Sequence, residues 1–272
     1  MARTMAPRDM PPEELQRLLH VLHGADTVEL KLTVPDAAQR SAIQGLGLDP
    51  LDAQIRQVFF FETPDLALDK AGLVVRARRS QRKGDDSVVK LRPVVPDELP
   101  SGLRESPNFG VEVDASPTAM VCSGSMKGVP KTDVRTVVRG AGRIRDLFTK
   151  EQRALFKTHA PEGLELDDLR ILGPLFVLKL KATPEGAPSR LVVELWLYPD
   201  GSRILELSTK CAPSQAFQMA AEARAYLGTR GVDLEGEQQT KTRTALDFFA
   251  HELAAEPPAA TGTRRAASKK SS

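Results

Sequence analysis

The chain has 272 residues, 41% of them apolar, with 38 Lys and Arg against 36 Asp and Glu, a formal net charge of +2. That near balance excludes a global basic field of the kind that holds nucleic acid, so no specific nucleic-acid partner is expected. Two cysteines, Cys122 and Cys211, lie far apart without metal-type spacing, which excludes a disulfide framework or zinc site and fits a reducing compartment. The opening MARTMAPRDMPPEEL lacks the apolar region of a signal peptide. No apolar run approaches the ~20 residues of a membrane span. A cytoplasmic protein without membrane contact is therefore expected.

Pro11-Pro12-Glu13-Glu14 starts a predicted helix with Leu15, Leu18, Leu19 and Leu22 on one face and acids in its first turn, where the helix dipole favours them. His20 and His23 sit three apart on it, without an acidic or third ligand to make a metal site. Thr27 to Val34 alternates as a strand, Val28, Leu30 and Leu32 facing one way and Thr27, Glu29, Lys31 and Thr33 the other. A helix is predicted from Asp36 to Gln44, ending at Gly45. The apolar run Val58–Phe61 then leads through Thr63-Pro64-Asp65 and a short helical piece to two β segments, LVVRARR and SVVKLR, flanking a loop around Gly84-Asp85-Asp86. Residues 93–108 read as proline-rich loop, and Gly110 to Ala115 as a short strand.

From Ser116 to Arg145 the pattern is ambiguous. The Gly and Ser between Cys122 and Gly128 point to loop, Thr132 to Val138 to a short helix or strand. Arg135, Arg139, Arg143 and Arg145 fall here, as phosphate contacts or as a solvated basic surface. Phe148 to Phe156 looks helical with Thr149 as N-cap. Strands follow at Pro174–Ala182, Arg190–Tyr198 and Arg203–Thr209, the last two joined by Pro199-Asp200-Gly201-Ser202, a strong hairpin signal. Helices are predicted at Ser214–Leu227 and from Glu235 to about Glu252. The small, basic residues beyond Glu256 have nothing to bury and read as a disordered tail. The expected division is an extension with a short helix (1–26), a main domain (27–253) and the tail (254–272).

The charges on these strands alternate with apolar residues: Glu29 and Lys31, Arg76 and Arg78, Lys90 and Arg92, Glu112 and Asp114, Lys179 and Lys181, Glu194, Glu206 and Lys210. On one or two strands this is an ordinary solvated outer face. On so many strands, with mixed sign, it points to a curled or closed sheet whose interior carries the charges. Such an interior cannot be dry. Cations there neutralise a phosphate chain, arginine bidentately, and carboxylates there hold a hard divalent ion.

These segments resemble the CYTH, or triphosphate tunnel metalloenzyme, superfamily. Thr27-Val28-Glu29-Leu30-Lys31 stands where that family has E-x-E-x-K, FFFETPDLALDKAGLVVRAR where it has YFDTPD…L…G…LRIR, and Lys90-Leu91-Arg92 where it has K-x-R/K. The resemblance implies an α+β fold: an antiparallel eight-stranded β-barrel, or tunnel, with helices packed outside. It implies a triphosphate or polyphosphate ligand, Mg²⁺ or Mn²⁺, and hydrolysis of a phosphoanhydride. Lys31, Arg76, Arg78, Lys90, Arg92, Lys179 and Lys181 would hold phosphate, Glu29, Glu112, Glu194 and Glu206 metal, and Glu29 and Lys31 would serve catalysis. The sequence departs from the family at Thr27, at Trp196 in Glu194-Leu195-Trp196, and at Ser208 in Glu206-Leu207-Ser208, each where the family has an acid. These losses favour the alternative of a non-catalytic polyphosphate- or nucleotide-binding module, and the same site could instead cyclise ATP, with the 3′-hydroxyl as nucleophile, as an adenylate cyclase of class IV type does.

Overall fold

A computed structural model describes residues 12–81 and 83–255. Nine strands close into one barrel: β1 (Thr27–Val34), β2 (Gln54–Glu62), β3 (Leu73–Ser80), β4 (Gly84–Leu91), β5 (Phe109–Ala115), β6 (Met120–Gly128), β7 (Arg170–Ala182), β8 (Leu191–Leu197) and β9 (Arg203–Cys211). Around the ring the order is β1-β5-β6-β4-β3-β2-β7-β8-β9. All neighbours are antiparallel except β1 and β5, which run parallel with Glu29 opposite Asp114. The barrel is thus a mixed sheet of nine strands rather than eight antiparallel ones. The extra strand is β6, in the segment the Gly/Ser content marked as loop. Its glycines are packing residues: a Cβ on Gly124 would lie 2.5 Å from the Phe109 ring, and Ser123 donates to the Glu112 carbonyl at 3.2 Å.

The helices are α1 (Pro12–His23), α2 (Gln39–Gly45), α3 (Ala67–Lys70), α4 (Ser101–Arg104), α5 (Val134–Val138), α6 (Lys150–His159), α7 (Ala216–Thr229) and α8 (Lys241–Ala255). Most cover the outer, apolar side of the barrel. Phe59, Phe61, Val75, Ala77, Val89, Val111 and Val113 are buried in one cluster with Val134 and Val137 of α5 and Leu155 and Phe156 of α6. Leu32, Val34, Leu191, Val193, Leu205 and Leu207 cluster with Tyr226 and Leu227 of α7. Thr149 and Gln152 form a capping box at the start of α6, and Gln152 also binds strands β4 and β6 through the Ser87 hydroxyl (2.9 Å) and the carbonyls of Ser87 (2.9 Å) and Met126 (3.1 Å). On α1, Leu22 is buried but Leu19 is exposed, and His20 faces Asp97 at 3.1 Å.

The motif FFFETPD folds around Glu62, which is 2% exposed. Its carboxylate accepts from the backbone N–H groups of Thr63 (2.8 Å), Leu68 (2.9 Å) and Asp69 (2.9 Å), capping α3 and fixing the path into β3. Strand β4 starts at Gly84, opposite Ser80, so Gly84, Asp85 and Asp86 belong to β4 rather than to a loop.

Helix α8 departs from the expectation of helices outside. The inward residues Val58, Phe60, Val177, Trp196 and Ile204 cluster with Ala245, Leu246 and Phe249 of α8. This helix therefore closes one end of the barrel and makes that end apolar. It begins at Lys241, six residues later than predicted, because the preceding residues bind β1 instead. The backbone N–H of Thr33 donates to Gln238 Oε1 at 2.9 Å, and that of Gln239 to Thr33 Oγ1 at 3.2 Å. Among the described residues no helix is long and apolar enough to cross a membrane. The expected tail beyond residue 255 lies outside the described residues.

Candidate functional site in the barrel

Strand alternation carries Glu29 and Lys31 (β1), Glu112 and Asp114 (β5), Lys90 (β4), Arg76 and Arg78 (β3), Arg56 (β2), Lys179 (β7), Glu194 (β8), and Glu206, Ser208 and Lys210 (β9) onto the inner face. Arg92, just after β4, reaches the same space. The alternate residues of these strands point outward under the helices, and Val58, Phe60, Val177, Trp196 and Ile204 share the inner face at the end closed by α8, so the charges are left to one another and to whatever enters the rest of the barrel.

The tightest acidic group is Glu29, Glu112 and Asp114, whose carboxylate oxygens lie within 4.8 Å of one another. Lys31 Nζ bridges Glu29 (3.1 Å) and Asp114 (2.7 Å). Asp114 also meets Arg92 at 2.8 Å and Lys90 at 3.5 Å, and Lys210 meets Glu112. Burial works against the Asp114 carboxylate, but Lys90, Lys31 and Arg92 hold its pKa far below the ordinary range. Burial also opposes Glu29, and Lys31 and Lys210 still bring it below its ordinary value. The Lys31 ammonium, resisted by burial, is held above its ordinary value by Asp114 and Glu29. Lys90 falls the other way, to about 8, through burial, with Lys31 and Arg92 adding repulsion against the pull of Asp114. Thr27 and Ser208 stand at two of the positions where the resemblance implied an acid. Thr27 donates to Glu112 at 3.3 Å and Ser208 to Glu29 at 3.2 Å. Both hydroxyls thus orient carboxylates of the cluster.

The late carboxylates are spent differently. Glu194 receives Lys179 (2.5 Å), Lys241 (2.5 Å) and the Trp196 indole N–H (3.2 Å). Glu206 receives Lys241 at 2.7 Å. The Lys241 ammonium also lies 5.2 Å from the centre of the Trp196 ring. Burial opposes both charges, yet the lysines keep Glu194 well below the ordinary carboxylate range, and Glu194 and Glu206 keep Lys241 above the ordinary lysine value.

Opposite these pairs is a cationic wall with few counterions. Arg78 meets Asp86 at 2.7 Å, and Arg56 donates to Gln54 at 3.1 Å. Arg76 has no ion pair among the described residues, and its Nε is enclosed without a hydrogen-bond partner. Burial, and then the neighbouring Arg78, push its pKa down to about 10. Lys181 is exposed at the rim, its pKa lowered by burial and by Lys83 and Arg190.

All the predicted site residues thus face one barrel, with Lys181 at its mouth. Sequence reasoning missed Lys241, which sits on a helix where strand alternation gives no signal, and Arg56, which is in phase with Val58 and Phe60 and was legible had β2 been started earlier.

No family model matches the chain, and no curated protein matches its sequence. Solved structures do match its fold. A candidate adenylyl cyclase from Hippeastrum, described as having a dominant triphosphatase activity, is 14% identical with a TM-score of 0.55 over 81% of this chain and 95% of that one. A candidate adenylate cyclase from Bacillus halodurans is 14% identical with a TM-score of 0.54 over 80% and 98%. The likeness is one of fold: the chain has the closed α+β barrel that the CYTH resemblance implies.

Proposed function

We propose that the barrel binds a triphosphate-bearing anion and hydrolyses its terminal phosphoanhydride with the help of one divalent cation. The observation that carries this reading is Arg76, an enclosed guanidinium without a counterion beside Arg78 and Arg56. An unpaired buried charge is costly, and a phosphate chain would relieve it through charge-assisted bonds. Lys90, Arg92 and Lys31 extend the same cationic surface toward the acidic cluster, Lys179 flanks it, and Lys181 draws the anion in at the mouth.

The oxygen-only set Glu29, Glu112 and Asp114 fits Mg²⁺ or Mn²⁺. Bound there, such an ion supplies charge neutralisation at the phosphate oxygens and assistance to water. Glu194 and Glu206, engaged by Lys179 and Lys241, fit it less well. In this reading an entering triphosphate takes over Lys31, Lys90 and Arg92 from Asp114, freeing carboxylate oxygens as it neutralises the lysines. Water then attacks the terminal phosphorus in line as its bond to the bridging oxygen breaks, with Lys31 countering the charge on the phosphate oxygens, Glu29 orienting the attacking water as a hydrogen-bond acceptor, and the water's proton passing to the released phosphate. The products are orthophosphate and the shortened chain. The working unit is 27–253, acting in the cytoplasm, where two buried free thiols, Cys122 and Cys211, stay reduced.

A second reading, a non-catalytic binding module, is favoured by the neutralisation of Glu194 and Glu206. Phosphate release from inorganic triphosphate, ATP and thiamine triphosphate, with Mg²⁺, Mn²⁺ or EDTA, separates the two. Metal-dependent release lost in Glu29→Gln supports the enzyme. No release from any substrate, with triphosphate still raising Tm, establishes the binder. Neither release nor a Tm shift refutes both.

A further inference from the structure

The inner wall is not the molecule's sole gathering of unpaired arginines. On β3 the alternation that turns Arg76 and Arg78 inward turns Arg79 outward. There it lies across from Gln57, to whose Oε1 it donates at 2.8 Å. Its Nε is enclosed with no hydrogen-bond partner. Over this spot α5 brings Arg135 and Arg139, one helical turn apart on one face. Together the three arginines line an open pocket of about 300 Å³ on the outside of the barrel, floored by Phe59, Val138 and Pro174.

The pocket exists because β7 is irregular there. The β2–β7 register shifts between Val58 and Phe60. Gly173, at φ 126°, has no room for a side chain, since a Cβ would lie 2.7 Å from the Val58 carbonyl oxygen. The bulge leaves a hollow in the wall that a regular strand would fill.

No acidic residue lines this pocket among the described residues. Two carboxylates lie close by and are committed elsewhere: Asp133 accepts from the Arg135 backbone N–H at 2.6 Å, and Asp85, across the β3–β4 ladder from Arg79 but with no ion pair to it among the described residues, accepts from that of Val134 at 2.8 Å, so both cap α5. The same basic segment also contains Arg143 and Arg145, and these are neutralised, by Asp146 at 3.3 Å and Asp167 at 3.8 Å. The segment thus separates into two paired arginines and two that converge on Arg79 with no ion pair among the described residues. Like charges one helical turn apart repel, and an enclosed guanidinium nitrogen without an acceptor is destabilising. An anion of matching charge relieves both.

We infer that this outer pocket is a second anion site, taking a di- or triphosphate group on Arg79, Arg135 and Arg139. Three guanidiniums around one hollow match the several oxygens and charges of an oligophosphate rather than a single carboxylate. The site is separated from the tunnel by the thickness of the sheet, and it does not depend on the tunnel being catalytic.

The test is calorimetric titration with inorganic tripolyphosphate in EDTA, on wild type, Arg135→Ala/Arg139→Ala and Arg76→Ala. Arg135 and Arg139 are exposed, so their removal leaves folding intact, which Tm checks. Wild type should show two binding events. The outer double variant should lose one, weakened by at least about a hundredfold for two charge-assisted contacts, while Arg76→Ala loses the other. A single wild-type event abolished in the outer variant alone would support this site and refute the tunnel ligand. Titrations identical in wild type and the outer variant would overturn the inference, whatever the tunnel does.

Discussion

Lys241→Met tests whether the barrel's charged interior and its C-terminal helix are one energetic unit. Methionine keeps most of the lysine stem and removes the ammonium. Lost with it are the contacts to Glu194 (2.5 Å) and Glu206 (2.7 Å) and the approach to the Trp196 ring (5.2 Å). Glu194 retains Lys179 at 2.5 Å, but Glu206, whose side chain is 6% exposed, has no other ion pair among the described residues. Removing one partner of a buried pair costs about 3–5 kcal/mol, because the remaining charge stays desolvated. For a chain near this size that is a fall in Tm of about 6–20 °C. The double variant Lys241→Met/Glu206→Gln removes the stranded charge and should recover a large part of the loss. Acid sensitivity gives a second readout. The Glu194 carboxyl is held well below its ordinary value of 4.5, so the stability it contributes is present above that value and lost as pH falls through its folded pKa. Without Lys241 the depression shrinks, and acid unfolding should begin at a higher pH than in wild type. Thermal and urea unfolding at neutral pH, with an acid titration of each variant, provide the measurements. A loss below about 1 kcal/mol for Lys241→Met, in the range of a surface ion pair, would refute the reasoning: α8 would then not be held by charge.

Three further outcomes are expected. In Arg76→Ala/Arg78→Ala, tripolyphosphate should no longer raise Tm through the tunnel, since each lost charge-assisted contact is worth about 1.5–3 kcal/mol of binding. An undiminished shift in a variant that also lacks Arg135 and Arg139 would show that the anion binds elsewhere. Gln152→Ala should destabilise by about 2–4 kcal/mol in urea unfolding, because it strands the Thr149 backbone N–H, the Ser87 hydroxyl and two strand carbonyls in a fully buried position. A loss under 1 kcal/mol would mean that α6 is not fastened through that amide. Cys122 and Cys211 are buried, with thiol pKa values raised by burial. A thiol reagent at pH 8 should therefore count both only after unfolding, and rapid native reaction would contradict the packing of β6 and β9.

The sequence by itself determined that charges and apolar residues alternate along the strands. Period 2 is a local property of the backbone, so Glu29 with Lys31, Arg76 with Arg78 and Lys179 with Lys181 were assigned to shared faces before any partner was known. It also determined the hairpin at Pro199–Ser202 and the Thr149 cap, because turn and cap chemistry act within a few residues. What it could not supply was everything that depends on one strand meeting a distant one. β6 is a strand because Phe109 covers Gly124 and because β4 and β5 offer it ladders on both sides. Intrinsic preference for Gly and Ser says loop, and tertiary pairing overrides it. The parallel β1–β5 pair, which brings Glu29 beside Asp114, joins residues far apart in the chain by hydrogen bonds that leave no local trace. Lys241 is the sharpest case. In sequence it is one more cation inside the helix predicted from Glu235. Only the seating of Gln238 and Gln239 on Thr33 delays the helix enough to place that ammonium between Glu194 and Glu206. Whether a charge is a counterion or a free ligand-binding group is decided by distances across the barrel, and those exist only once the sheet has closed.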